Sequence, residues 1–188
     1  MKGSGEMARK ESITKDVILS AAFAILEEEG ISQVTARKLA ARANCSTQPI
    51  FRIYRNMEEL TQELFTRAVD FFQEYYGKFA RQTVTPFVHL GSIYIRFAAD
   101  YKRLFSFIFL SENRFGKSMY DIINGDAGWV GREMQMASGQ GCKNAGELFT
   151  KTWIIIHGAA CMSLTGDFDL SQEETARMLK DSYRAFKG

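Results

Sequence analysis

Gln48 and Arg52 stand one helical turn apart in the stretch STQPIFRIYR, whose Ile50 and Ile53 or Tyr54 can turn the other way. A glutamine amide presents a donor and an acceptor side by side and matches the major-groove edge of adenine. An arginine fork matches guanine or a phosphate. Thr47 adds a hydroxyl at the same end, flanked by Ser46 and Pro49, and Phe51 and Arg55 share the segment. Upstream, Thr35 and Arg37 open another short segment, where free N–H groups of a helix start and a guanidinium would grip phosphate. Chemistry of this type holds a polyanion and makes or breaks no bond.

Charge along the chain agrees. The formal net charge of +2 hides a segment, residues 30–56, that carries Arg37, Lys38, Arg42, Arg52 and Arg55 and no acid, while bases and acids nearly balance from residue 57 onward. A basic segment beside a neutral remainder points one end of the chain at a polyanion. Catalytic groupings are not apparent. His89 and His157 are far apart, and Cys45, Cys142 and Cys161 are widely separated and lack metal-ligand spacing. Such thiols stay reduced in a cytosol, and a redox role would fall to Cys142 or Cys161. There is no glycine-rich phosphate loop or nucleophile elbow, and Glu27–Glu29 read as solvated helix charge. The chain is expected to be no enzyme and to need no metal or cofactor.

The elements that must position these residues are helices. Ile18, Ala21, Ala22, Ile25 and Leu26 recur at three- and four-residue spacing in a first helix over 12–29 that stops at Gly30. Thr35 is a natural N-cap for a second over 36–43. Asn44 accepts the left-handed turn that follows, and Ser46 caps a third, with Pro49 in its first turn. Asn56 and Glu59 open a fourth that reaches Gly77. Thr85 and Pro86 suit N-cap and N1 of a fifth. Further helices are read over 100–111, 119–136, 147–165 and 171–186, the last opened by a Ser171/Glu174 capping box. The expectation is an all-α fold of about nine helices, with a three-helix N-terminal domain over 1–56 and a helical domain over 57–188. Residues 1–10 are read as a disordered tail, in which MKGSGE is either vector-derived or native. Neither a secretory signal nor a membrane span is apparent, so the chain is read as cytoplasmic.

Two short helices with a tight turn between them, the second preceded by a small polar cap, have the geometry of a helix-turn-helix. The segments ILSAAFAILEEEG, TARKLAARANCS and PIFRIYRNMEEL, in that order over residues 18–60, resemble the signature of the TetR (tetracycline-repressor-like) family. Matching positions include Ala21, Ala22, Gly30, Thr35, Leu39, Ala40, Ala43, Ser46, Ile50, Tyr54, Glu59 and Leu60. The resemblance implies a DNA-binding transcriptional regulator that occupies a palindromic operator as a homodimer, usually as a repressor released by a small-molecule effector. Where the family pattern has Gly, Tyr, His and Lys, this sequence has Asn44, Phe51, Ile53 and Met57, so three customary phosphate contacts are altered. Fewer phosphate contacts flatten the salt dependence of binding. A helical small-molecule-binding or protein-interaction module that no longer reads DNA is the alternative.

Trp153, His157 and Gly158 in WIIIHGAACM resemble the W-x-x-x-H-G pattern of one TetR subgroup, where the segment lies in the eighth helix near the ligand cavity and dimer interface. His157 reads either as a core histidine bonded to a neighbour or as the polar anchor of an apolar pocket. Tyr94, Phe105, Phe109, Met119 and Met134, with Trp153, either line a cavity for a hydrophobic or amphipathic effector or are plain core. The resemblance further implies a four-helix bundle between two copies, for which Leu179, Tyr183 and Phe186 supply an apolar stripe.

Overall fold

The computed structural model describes residues 13–187; the reading of residues 1–10, and Ser12 as the start of the first helix, lie outside them. The described residues form ten α-helices and one short 3₁₀ turn, with no strand. They group into two units, one ending at Leu64 and the other beginning at Phe65. The boundary between these units falls inside a helix.

In the first unit, α1 (Lys15–Glu29) starts where Thr14 Oγ1 accepts from Val17 N–H, and ends at Gly30, whose φ of 92° excludes most side chains. Its buried face is Ile18, Leu19, Ala21, Ala22, Ile25 and Leu26. α2 (Ala36–Arg42) is capped by Thr35, which accepts from Lys38 N–H, and buries Leu39 and Ala40. Asn44, at φ 51°, makes the turn. α3 (Gln48–Ile53) differs from expectation at its start: Thr47 is the N-cap, no side chain caps it, and Ser46 lies one residue outside. The reason is local. Pro49 has no N–H to offer a cap, and Ile50 N–H already bonds Thr47 C=O. Asn56 Oδ1 accepts from Glu59 N–H at 2.9 Å, and Glu59 accepts in return from Arg55 N–H at 2.8 Å. This pair opens α4 (Met57–Gly77), which runs on into the second unit.

The second unit packs around α5 (Val88–Asp100), with α6 (Lys102–Phe109), α9 (Ala145–Thr165) and α10 (Gln172–Lys187) against it. α5 begins after Phe87, not at Pro86. Phe87 is held at φ 65° with its ring fully buried, and its N–H donates to Glu133 Oε2 at 2.7 Å. The tertiary bond and ring burial override the local proline signal. The single helix expected over 119–136 is two, α7 (Met119–Asn124) and α8 (Trp129–Gly139), because Gly125 and Gly128 take positive φ between them. A Cβ on Gly91 would lie 2.8 Å from the side chain of Ile156 and 2.9 Å from that of Leu179, so α5 can approach α9 and α10 only with glycine there. Gly91→Ala is expected to cost about 1–3 kcal/mol through overpacking, read by urea denaturation; an unchanged midpoint would show that the crossing relaxes freely. No helix among the described residues is long and apolar enough to cross a membrane.

Candidate functional site

α3 is two-sided. Ile50 is fully buried and Tyr54 is 1% exposed, while Ser46, Thr47, Gln48, Arg52 and Arg55 face solvent. Phe51 is 50% exposed, an unusual place for a phenyl ring in a small helical unit. Pro49 and Ile53 are half-buried, and Thr35 and Arg37 at the start of α2 are exposed. The sequence candidates are therefore exposed at two helix starts, apart from the half-buried Pro49, with Ile50 and Tyr54 buried beneath α3.

The basic character of this surface is smaller than the sequence implies. Arg42 makes paired bonds of 2.5 Å to both carboxylate oxygens of Glu28, and Lys38 pairs with Glu29. The Arg42 bond in turn holds the Glu28 carboxyl below its ordinary range. Arg55 bonds Glu59 at 3.3 Å and keeps that carboxyl low, chiefly through its backbone N–H. Of the five bases in residues 30–56, Arg37 and Arg52 have no acid partner among the described residues. The two unpaired cations flank the exposed Gln48 in sequence, and a polyanion would meet them without first breaking an ion pair.

In the second unit, Tyr94 (1% exposed) and the fully buried Phe105 and Phe109 are core residues. The Tyr94 ring lies 4.8 Å from Phe109, 5.1 Å from Phe105 and 4.7 Å from Trp153. Its hydroxyl shares a 2.9 Å hydrogen bond with His157 Nδ1, and His157 Nε2 lies 3.7 Å from Cys161 Sγ. Trp153, His157, Met119 and Met134 are half-buried. Burial, with the Arg114 guanidinium adding to it, pushes the His157 imidazole down and keeps it neutral. Burial also raises the Tyr94 phenol and the Cys161 thiol, and a raised thiol disfavours the thiolate that oxidation requires. A separate cavity of about 590 Å³ opens between α5 and the start of α10, where Phe79, His89, Ile93, Arg96, Phe168 and Leu170 are part of its wall; none of the seven residues singled out for an effector lines it. Among the described residues, no group of three His, Cys, Asp or Glu side chains could hold a metal ion.

Leu179 (fully buried) and Tyr183 (4% exposed), expected between two copies, are buried inside the protomer, where Leu179 meets α5 at Gly91 and Tyr183 faces Phe87. Phe186 is half-buried. On α9, Ile154 (67%) and Met162 (47%) are left exposed with the exposed Gly158 midway, while Val84, Leu110, Tyr120 and Leu170 are exposed singly on loops or other helices. Arg81, Arg114 and Glu133 gave no sequence signal, since each is defined by a partner distant in the chain.

Comparison with known proteins places this geometry. A family model described as bacterial regulatory proteins, tetR family, matches residues 18–64, the span from α1 into α4 that contains these candidates. No curated protein matches the chain. Among solved structures, a TetR-like transcriptional regulator from Rhodococcus sp. RHA1 is 12% identical, with a TM-score of 0.62, over 94% of this chain and 97% of that one. A protein from Mesorhizobium loti MAFF303099 assigned to the TetR family is 19% identical, with a TM-score of 0.53, over 91% of this chain and 93% of that one. At these identities the two structures speak for the fold alone, and the family match is confined to residues 18–64. Residues 18–64 are thus similar to the bacterial regulatory proteins of the tetR family, and the chain shares its fold with the two solved structures.

Proposed function

We propose that the protein is a ligand-responsive repressor, working in the cytoplasm, that occupies a palindromic operator as a homodimer. The observation that carries this reading is the two-sided α3, with Thr47, Gln48 and Arg52 exposed above buried Ile50 and Tyr54. Thr47, Gln48 and Arg52 reach base edges in the major groove. Thr35, Arg37, Ser46, Pro49, Phe51 and Arg55 meet the backbone beside them, Phe51 through its ring where the family has a hydroxyl. One such module buries too little surface for tight binding, and a two-fold dimer doubles it.

The dimer face is α9, along Ile154, Gly158 and Met162, rather than the Leu179 stripe that the protomer has already buried. A small hydrophobic or amphipathic effector binds in the second unit near Tyr94, Trp153 and His157. It acts on DNA through α4, which is continuous from Met57, four residues beyond α3, to Gly77. Release follows only if the effector prefers the state that does not bind operator.

Selection of bound sequences from random DNA tests the reading. The expected product is an inverted repeat with half-sites one helical turn, about 10 base pairs, or a multiple apart. Isolated half-sites would contradict operator binding as a dimer. In parallel, Ile154→Glu with Met162→Glu buries two carboxylates at the face and should weaken self-association by roughly a hundredfold or more. Sedimentation reads the result; a double variant that stays dimeric would rule this face out.

A further inference from the structure

Beside the core of the second unit stands a half-buried cation with no carboxylate partner among the described residues. Arg114 lies in the loop between α6 and α7, half-buried. One terminal nitrogen donates to Phe109 C=O at 3.0 Å, while Nε is enclosed and has no hydrogen-bond partner. No carboxylate pairs with Arg114 among the described residues. The carbonyl that Arg114 bonds belongs to Phe109, whose ring lies 4.8 Å from that of Tyr94 of α5, and the Tyr94 hydroxyl shares a 2.9 Å hydrogen bond with His157 of α9.

The chain accepts backbone strain beside this residue. Phe115, the next in sequence, is left-handed at φ 52°, which a bulky side chain rarely adopts, and Gly116 follows at 81°. Asn113 Oδ1 accepts from Phe115 N–H at 2.9 Å, and the Phe115 ring lies 5.5 Å from Phe65. The loop that carries Arg114 is thus held in place on both sides of it.

Aromatic rings extend from the cluster. Phe149, Trp153 and His157 repeat every four residues along α9 and stack in turn, with centroids 5.8 and 6.1 Å apart and planes 28° and 23° from parallel. All three are half-buried. Tyr120 of α7 stands at the far end, 6.3 Å from Phe149. A flat apolar ladder therefore ends on a group of hydrogen-bonding side chains whose net charge is a single positive one, since the imidazole, phenol and thiol are all neutral.

A half-buried guanidinium with an enclosed, unbonded Nε is costly without an anion, and its planar fork fits one carboxylate through two parallel bonds. We propose that this cluster binds the carboxylate of an aryl- or alkyl-carboxylic acid, held by Arg114 with Tyr94 and His157 beside it, and that the Phe149–Trp153–His157 ladder receives its apolar body. The proposal rests on the sensing role put forward above and names the chemical class of effector. A monocarboxylate balances the one positive charge; a second carboxylate on the same ligand would be left unpaired among rings.

Calorimetric titration of the full chain with 3-phenylpropanoate and octanoate, and with the two corresponding neutral amides, tests it. At least one acid should bind at least tenfold more tightly than its amide. Arg114→Gln should reduce that acid to the amide's level, and Arg114→Lys, which keeps the charge without the fork, should retain part of the preference. The acid–amide comparison uses the unaltered chain, so it decides the matter even where a variant fails to fold. Equal binding of acid and amide, or no binding of either acid at millimolar concentration, overturns the proposal. Retention on the selected operator, measured with the same compounds, separates the two readings. An acid that binds and leaves the operator complex intact keeps the site and overturns the sensing role. An amide that binds as well as its acid and releases DNA does the reverse.

Discussion

Gln48→Ala together with Arg52→Ala is expected to lower affinity for the selected operator by roughly 2–6 kcal/mol, taking about 1–3 kcal/mol for each base contact. Both side chains are exposed on α3 and neither is tied to a neighbour among the described residues, so their removal leaves the helix and its buried Ile50 and Tyr54 intact. Arg37→Ala should behave differently. A lost phosphate contact weakens binding to all sequences alike and reduces the slope of log affinity against log salt by about 1. Lys38 and Arg42 provide an internal comparison, because the first unit already pairs them with Glu29 and Glu28. Their removal should change operator affinity less than removal of Arg37. Anisotropy titrations at several salt concentrations read all of these. An operator affinity untouched by the Gln48/Arg52 double substitution would sink the assignment of α3 as the reading helix.

Glu133→Ala is expected to destabilise the second unit by about 3 kcal/mol or more, the range for removing one partner of a buried ion pair. Glu133 is 1% exposed and binds both Arg81 and the N–H of Phe87, which is itself held left-handed at the entrance to α5. Alanine would leave a buried N–H without an acceptor and an arginine without its carboxylate. Glu133→Gln should cost much less, since it keeps an acceptor for Phe87. The pH dependence gives an independent check. Burial, against the opposing pulls of Phe87 N–H and Arg81, raises the Glu133 carboxyl above its ordinary value. A carboxyl raised in the folded state contributes stability that is fully present below its unfolded value and is lost as pH rises through the folded one. The unaltered chain should therefore gain on Glu133→Gln as pH falls from neutrality into the acid range. Urea denaturation at several pH values would show this, and a gap between the two that stays constant with pH would contradict the raised carboxyl.

The parts of the fold legible in the sequence are those governed within one helical turn. Thr35 and the Ser171–Glu174 box cap their helices as read, and Asn44 makes its left-handed turn. In each case donor and acceptor, or strain and relief, lie within four residues. The period of apolar residues marked the buried face of α1 for the same reason. Local signals failed where a distant group outweighed them. Pro86 pointed to a helix start, and a bond from Phe87 to Glu133, with the burial of the Phe87 ring, moved it.

The outward side of α3 was likewise written in the sequence, because a short helix with a buried Ile50 has only one side left for Gln48 and Arg52. Which of the neighbouring cations remain unpaired was decided by tertiary structure. Residues 30–56 contain no acid, yet Glu28 and Glu29, just outside that span, are brought back onto Arg42 and Lys38 by the way α1 and α2 pack. Tertiary structure also spent the Leu179 and Tyr183 stripe on the protomer's own core and left Ile154 and Met162 outside. It joined Tyr94 to His157 across 63 residues and set the half-buried Arg114 on the carbonyl of Phe109. Periodicity reports that a face is apolar, whereas burial and pairing depend on which other element arrives there, and no residue carries that information alone.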